Sequence, residues 1–190
     1  MKLATLRTGF GTSAIRIDGD NVGGELDYED VGQLLRSEDW RKAAQLSGEP
    51  VVFDHADLEA VVPSPGKVIC VGLNYATHIR EMVRECPKHP TLFIKFADAL
   101  TGPYDDVFIP EYGTQQLDYE GELAVIIGER AHHVSRDEAL DYVAGYAIMN
   151  DYTLRDFQRQ TSQFHAGKSL LRSAGFGPCV ATAAESARAA

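Results

Sequence analysis

Hydrophobic and polar positions alternate most clearly at Ala14-Ile15-Arg16-Ile17-Asp18-Gly19-Asp20-Asn21, a pattern that predicts a β-hairpin near the start of the chain. Asp30-Val31-Gly32-Gln33-Leu34-Leu35 and Trp40-Arg41-Lys42-Ala43-Ala44 predict two short helices after it. Pro63-Ser64-Pro65-Gly66 then punctuates the chain and is the expected boundary between a small N-terminal α/β unit, residues 1–62, and a larger domain, residues 63–190. Beyond it, Lys67-Val68-Ile69-Cys70-Val71-Gly72, Leu92-Phe93-Ile94-Lys95-Phe96, Leu123-Ala124-Val125-Ile126-Ile127-Gly128 and Tyr146-Ala147-Ile148-Met149 are apolar runs of strand length. Ala76-Thr77-His78-Ile79-Arg80-Glu81-Met82-Val83 and Tyr152-Thr153-Leu154-Arg155-Asp156-Phe157-Gln158 have helical character. Ser135-Arg136-Asp137-Glu138 has the spacing of a capping box opening a helix through Tyr142. The class predicted is strand-rich α+β.

Candidate chemistry begins with the acidic residues at the head of the strongest strand. In an extended chain Asp118, Glu120 and Glu122 project to one side, while Tyr119 and Leu123 point to the other. Crowded carboxylates raise one another's pKa unless a cation, an arginine or water compensates them. A divalent metal is the most direct compensation, and Asp151, closing the run that ends in Asn150, offers a further oxygen ligand. The bland alternatives are the solvated face of an edge strand for Glu120 and Glu122, and a helix N-cap for Asp151.

His78 and Glu81, three apart on a helix, share a face, so the carboxylate could orient the imidazole as a base; an exposed surface pair is the alternative. Lys95 interrupts an apolar strand, which suits a lysine that reaches a buried partner or faces a cavity as well as one that guards a sheet edge. Gly167-Lys168-Ser169 is not a phosphate-binding loop, because Ser162 stands where that motif requires glycine. A lysine in such a turn can still neutralise an enolate or a carboxylate.

Composition narrows the function classes. The 190 residues are 44% hydrophobic, enough to bury a core, and 28 acidic against 18 basic residues give a net charge of -10. That balance argues against a nucleic-acid partner. Cys70, Cys86 and Cys179 form neither a disulfide framework nor a zinc pattern, which fits a reducing cytoplasm. The N-terminus lacks the apolar stretch of a signal peptide, and no run reaches the length of a membrane span.

Taken in order, Gly72-Leu73-Asn74-Tyr75-Ala76-Thr77-His78-Ile79-Arg80-Glu81, Phe93-Ile94-Lys95, Asp118-Tyr119-Glu120-Gly121-Glu122-Leu123-Ala124-Val125, Asn150-Asp151 through Arg155-Asp156-Phe157-Gln158, and Gly167-Lys168-Ser169 resemble the fumarylacetoacetate hydrolase family over residues 63 to about 180. The resemblance implies a mixed β-sandwich roll, a homodimer, and a divalent ion, Mg²⁺ or Mn²⁺ with Ca²⁺ possible, held by Glu120, Glu122 and Asp151. It also implies His78 and Glu81 as a catalytic dyad with Lys168, and Lys95, Arg155 and Gln158 as substrate-binding residues. The implied substrate is a 2-oxo or diketo acid, cleaved by C–C bond hydrolysis through a metal-stabilised enolate. Decarboxylation or dienol isomerisation on the same site is the alternative. Relatives of this kind continue past the lysine turn with further strands, so a C-terminally truncated domain is expected. Such a fragment could be inactive until a partner completes it, or could bind a metal without catalysis.

Overall fold

The computed structural model describes residues 1–46, 48–81, 83, 85–111 and 116–186. Its N-terminal part is built from β1 (Lys2–Thr8), β2 (Gly11–Gly19), β3 (Val22–Glu25), α1 (Val31–Leu35), α2 (Trp40–Ala43) and β4 (Glu49–Val52). The expected hairpin is present, turning at Asp20-Asn21, where Asn21 takes φ 58°. Both short helices also form, and the Asp30 side chain caps α1 by accepting from the backbone of Gln33 at 2.8 Å.

Next come β5 (Val68–Gly72), α3 (Ala76–Glu81), β6 (Thr91–Lys95), β7 (Leu100–Thr101), β8 (Leu117–Asp118), β9 (Gly121–Ile127), β10 (Val143–Asp151), β11 (Thr153–Leu154), α4 (Arg155–Gln158), α5 (His165–Lys168), β12 (Ala174–Thr182) and α6 (Ala183–Ser186). Met82, at the end of the helix expected over Ala76–Val83, and residues 187–190 of the tail lie outside the described residues. The Ser135–Glu138 capping box forms, with Ser135 Oγ and Glu138 Oε2 2.6 Å apart, but it opens only a single 3₁₀ turn, Ala139–Tyr142. Strand β10 starts directly at Val143 and draws the chain back into the sheet.

Among the described residues eight strands form one sheet, ordered β4-β3-β2-β1-β12-β10-β9, with β7 parallel to the start of β12. The sheet crosses the Pro63–Gly66 punctuation, because Lys2 and Leu3 of β1 pair with Ala181 and Val180 of β12. The core crosses it as well. Leu3, Ala14, Leu34, Trp40 and Val61 pack in one cluster with Ile126, Ala147, Met149, Phe176 and Val180. Alternation along the N-terminal strands sends Ala4, Leu6 and Ile15 to the other face, where Phe53 and Leu58 cover them. The β5–β6 hairpin stands apart as a separate two-stranded sheet.

Among the described residues two sheet faces expose apolar side chains to solvent. Leu123, Val125 and Ile127 of β9 with Ile148 of β10 form one; Ile69 and Val71 of β5 with Leu92 and Ile94 of β6 form the other. No helix among the described residues is long and apolar enough to cross a membrane.

An ion-pair knot fastens β1 to the loop after β7. Asp105 accepts from Arg7 at 2.6 and 2.8 Å, from Thr101 Oγ1 at 2.5 Å, from the Gly102 amide at 2.8 Å and from Arg172 at 2.7 Å. The Arg7 hydrogen bonds hold the Asp105 carboxyl well below the usual carboxylate range. Because the folded state binds this proton less readily, the stabilisation is complete above the ordinary carboxylate pKa of about 4 and is lost as pH falls toward the lower folded value. Urea midpoints should therefore fall between about pH 5 and pH 3 more steeply in the wild type than in Asp105→Asn. Parallel profiles would remove the knot from the pH response.

Candidate active site

The site forms where β10 ends. Asp151 donates its backbone N–H to Glu120 O at 2.8 Å, and Asn150 Oδ1 accepts from the Glu120 amide at 3.1 Å, so two residues on β10 clamp the segment between β8 and β9. Asp151 is not a helix N-cap here. Strand β10 runs through it, β11 pairs Thr153 with Asp118, and α4 starts only at Arg155. The Arg155 guanidinium reaches Asp118 Oδ2 at 2.7 Å, Glu120 Oε1 at 2.6 Å and Gln158 Oε1 at 3.0 Å.

Lys168 is delivered by α5, whose approach depends on Gly167. A Cβ at Gly167 would sit 2.6 Å from both Leu154 O and Gln158 N, closer than side-chain carbon and backbone can approach. The Lys168 ammonium, on a residue 2% exposed, donates to Glu120 Oε2 at 2.8 Å, Asp151 Oδ2 at 2.8 Å and Thr153 Oγ1 at 2.9 Å. Those three bonds use all its hydrogens. Its Nζ also lies 5.2 Å from the centre of the Phe93 ring. Lys95, at the end of β6 and 3% exposed, donates to Asp151 Oδ1 at 2.7 Å and to the Lys168 carbonyl. Lys95 is thus a buried partner of Asp151 rather than a sheet-edge guard.

The charges are paired unevenly. Glu120 faces Arg155 and Lys168, and Asp151 faces Lys95 and Lys168. Glu122 has no cation bonded to it among the described residues, and burial, helped by the negative charge of Glu120 and Asp151, pushes its carboxyl up, against a lowering hydrogen bond from Tyr75. Cys70, on β5, feels the same cluster; burial first and Asp151 second push its thiol up to about 11, so it lines the site as a neutral group.

His78 and Glu81 are adjacent on α3, with Nδ1 4.0 Å from Oε2 and both side chains well exposed. Among the described residues no hydrogen bond joins this pair to the carboxylates and lysines. The structure thus brings together Lys95, Glu120, Asp151, Arg155, Gln158 and Lys168, places Glu122 beside them, and leaves His78 and Glu81 on the helix surface. The sequence reading missed Thr153, which shares a side with Asp151 two residues earlier, and Tyr75.

As ligands for a divalent ion, Glu120, Glu122 and Asp151 have suitable chemistry: hard carboxylate oxygens, of which Glu122 has no bonded cation among the described residues. Among the described residues no three Asp, Glu, His or Cys side chains converge as a metal cage. The Lys168 ammonium lies between Glu120 and Asp151 instead. A hollow of about 290 Å³ bounded by Tyr104, Ile148, Asn150, Gly175, Gly177 and Pro178 lies elsewhere, where Ile148 and Asn150 alternate along β10 with the inward Met149 and Asp151.

Residues 67–190 match the model of the fumarylacetoacetate hydrolase C-terminal domain. The chain belongs to the fumarylacetoacetate hydrolase family. It is 47% identical over 124 residues to the oxaloacetate tautomerase YisK of Bacillus subtilis, a match covering 64% of this chain and 41% of that protein. The fold is similar to a putative HpcE protein from Mycobacterium smegmatis, with TM-score 0.81, 28% identity, and coverage of 97% of this chain and 67% of the other. A 5-carboxymethyl-2-hydroxymuconate delta-isomerase from the same organism superposes with TM-score 0.78 at 28% identity, over 96% of this chain and 67% of the other. The chain therefore spans about two fifths of the tautomerase and two thirds of the solved neighbours. Family membership and the strand-rich α+β fold agree with the expectations drawn from the ordered motifs.

Proposed function

We propose that the chain acts on a 2-oxo acid by moving a proton at the carbon beside the keto group, as a keto–enol tautomerase or isomerase. The observation that carries this reading is the buried Lys168 ammonium held among Glu120, Asp151 and Thr153, a fixed positive charge beside oxygens able to orient a polar substrate. The C–C bond hydrolysis expected first from the sequence needs the same enolate plus attack by water. The similar proteins named as a tautomerase and an isomerase support the shorter reaction.

In this reading the imidazole of His78, oriented by Glu81, takes the proton from carbon while the electron pair moves onto the keto oxygen. Lys168 lowers the energy of that oxygen as it becomes negative. Arg155 and Lys95 act by holding Glu120 and Asp151 in place, and Gln158 braces Arg155. Glu120, Glu122 and Asp151 would hold a divalent ion, Mg²⁺ or Mn²⁺, which when bound would supply Lewis-acid stabilisation of an enolate. A homodimer belongs to the same proposal, supported by the exposed Leu123, Val125 and Ile148.

The test is decay of the enol form of oxaloacetate, followed by absorbance, with wild type and His78→Ala. The variant is expected to turn over about 100-fold more slowly. Equal rates would return His78 to an ordinary helix surface, and absence of catalysis in the wild type would remove the tautomerase reading for this chain.

A further inference from the structure

All three hydrogens of the Lys168 ammonium are taken before any substrate arrives. Two go to the carboxylates of Glu120 and Asp151, each at 2.8 Å, and the third goes to the Thr153 hydroxyl at 2.9 Å. A substrate oxygen can be bonded by this ammonium only if one of the three is given up. A bond between two ions is stronger than one between an ammonium and a neutral hydroxyl, so the Thr153 bond is the one released most easily. Thr153 itself stays in place when that happens. The residue is fully buried, β11 pairs it with Asp118, and its hydroxyl donates its own hydrogen to the Asp151 carbonyl at 2.9 Å. Losing Lys168 therefore removes only an acceptor bond from Thr153 and leaves no hydrogen of its own unpaired.

We propose that Thr153 is an exchange acceptor, a positioning residue whose hydroxyl holds the third Lys168 hydrogen in the free chain and yields it to the keto oxygen of a bound 2-oxo acid. The two carboxylates keep the ammonium where it is during the exchange, so only one hydrogen changes partner. The new bond strengthens as the substrate oxygen becomes negative, whereas the Thr153 oxygen stays neutral throughout. The proposal rests on the reading of Lys168 as the group that stabilises that oxygen. It adds the reason a buried lysine with its hydrogens all bonded can still serve a substrate: one of its partners is uncharged and replaceable.

Thr153→Val keeps the branched shape and removes the acceptor, leaving one ammonium hydrogen unpaired until substrate binds. With the enol form of oxaloacetate, KM is expected to fall about 10-fold in the variant while kcat stays within about threefold, and the free variant should melt below the wild type. Thr153→Ser keeps the acceptor and should restore both the KM and the melting temperature. A threonine that serves packing alone would give the opposite sign, because a displaced Lys168 raises KM or lowers kcat; a KM that is unchanged or higher in Thr153→Val overturns the exchange. The wild-type chain supplies a second measurement that needs no variant to fold: the Thr153 methyl NMR signal should shift on titration with oxaloacetate, and a signal that stays in place at saturation overturns the exchange as well. Lys168→Met separates the two readings. If it turns over as fast as the wild type, or if the wild type is inert, the role of Lys168 fails and the exchange falls with it. If Lys168→Met is slow but the KM of Thr153→Val has not fallen, the exchange alone is overturned.

Discussion

Replacing Asp151 with alanine is expected to cost about 3–5 kcal/mol of stability, because the change takes a shared carboxylate from two buried ammonium groups at once and leaves Lys95 with no counter-charge bonded to it. Lys95 would keep only the Lys168 carbonyl, and Lys168 would keep Glu120 and Thr153. The residues involved are 2–3% exposed, so water cannot repair the loss without opening the packing between β6, β10 and α5. Typical domain stabilities are about 5–15 kcal/mol, so the variant should sit close to unfolding. Urea denaturation decides it: the midpoint should drop sharply with little change in slope. A loss below about 1 kcal/mol would mean that the two lysines find other partners. Asp151→Asn, which keeps an oxygen for one lysine, should cost less than the alanine change.

Lys168→Met is expected to do the opposite, reducing turnover by about 100- to 1000-fold in the enol assay while costing less stability than Asp151→Ala. The reason is the redundancy of the ion pairs. With Lys168 gone, Asp151 still has Lys95 and Glu120 still has Arg155, so neither carboxylate is abandoned. What disappears is the positive charge held between them. The flexible methionine fills nearly the same volume as the lysine stem, while the ammonium over the Phe93 ring is lost with the charge. Turnover within about tenfold of the wild type would show that Lys168 is a structural counter-ion and that the reaction draws its electrostatic help from elsewhere.

Local pattern made much of this architecture legible, and long-range pairing accounts for what was not. The β2–β3 hairpin, α1 and α2 carry periods set by which face meets the core, and β5, β6, β9 and β10 are apolar runs of strand length. Strand β12 carries none: Ala174-Gly175-Phe176-Gly177-Pro178-Cys179-Val180-Ala181-Thr182 is small and glycine-rich, and its place between β1 and β10 is set by partners remote in sequence. Asp151 was readable as an N-cap because the next residues have helical composition, but pairing of Thr153 with Asp118 extends the chain past the point where that helix was expected to begin. At the site, the type and order of Glu120, Glu122, Asp151 and Lys168 were visible. That the lysines would be buried against the carboxylates was not, since the pairing depends on Gly167 letting α5 close on β11. Lys95 gave the clearest hint, a charge in an apolar strand, and its partner lies 56 residues away.

The position of β12 also governs the order in which this chain can acquire its structure. Lys2 lies beside Ala181 in the finished sheet, so β1 is completed by a strand remote from it in sequence. The β1–β2–β3–β4 meander can zip locally, yet the edge of β1 stays open until residues near 180 arrive between it and β10. Closing so long a loop sacrifices chain entropy before any contact rewards it, which makes the joining of the two halves of the sheet the slow step. During that interval β1 and β10 present unpaired hydrogen-bonding edges. Crowding of nascent chains should therefore favour pairing with the wrong molecule, and the yield of folded protein should depend on synthesis rate and temperature more than its final stability would suggest.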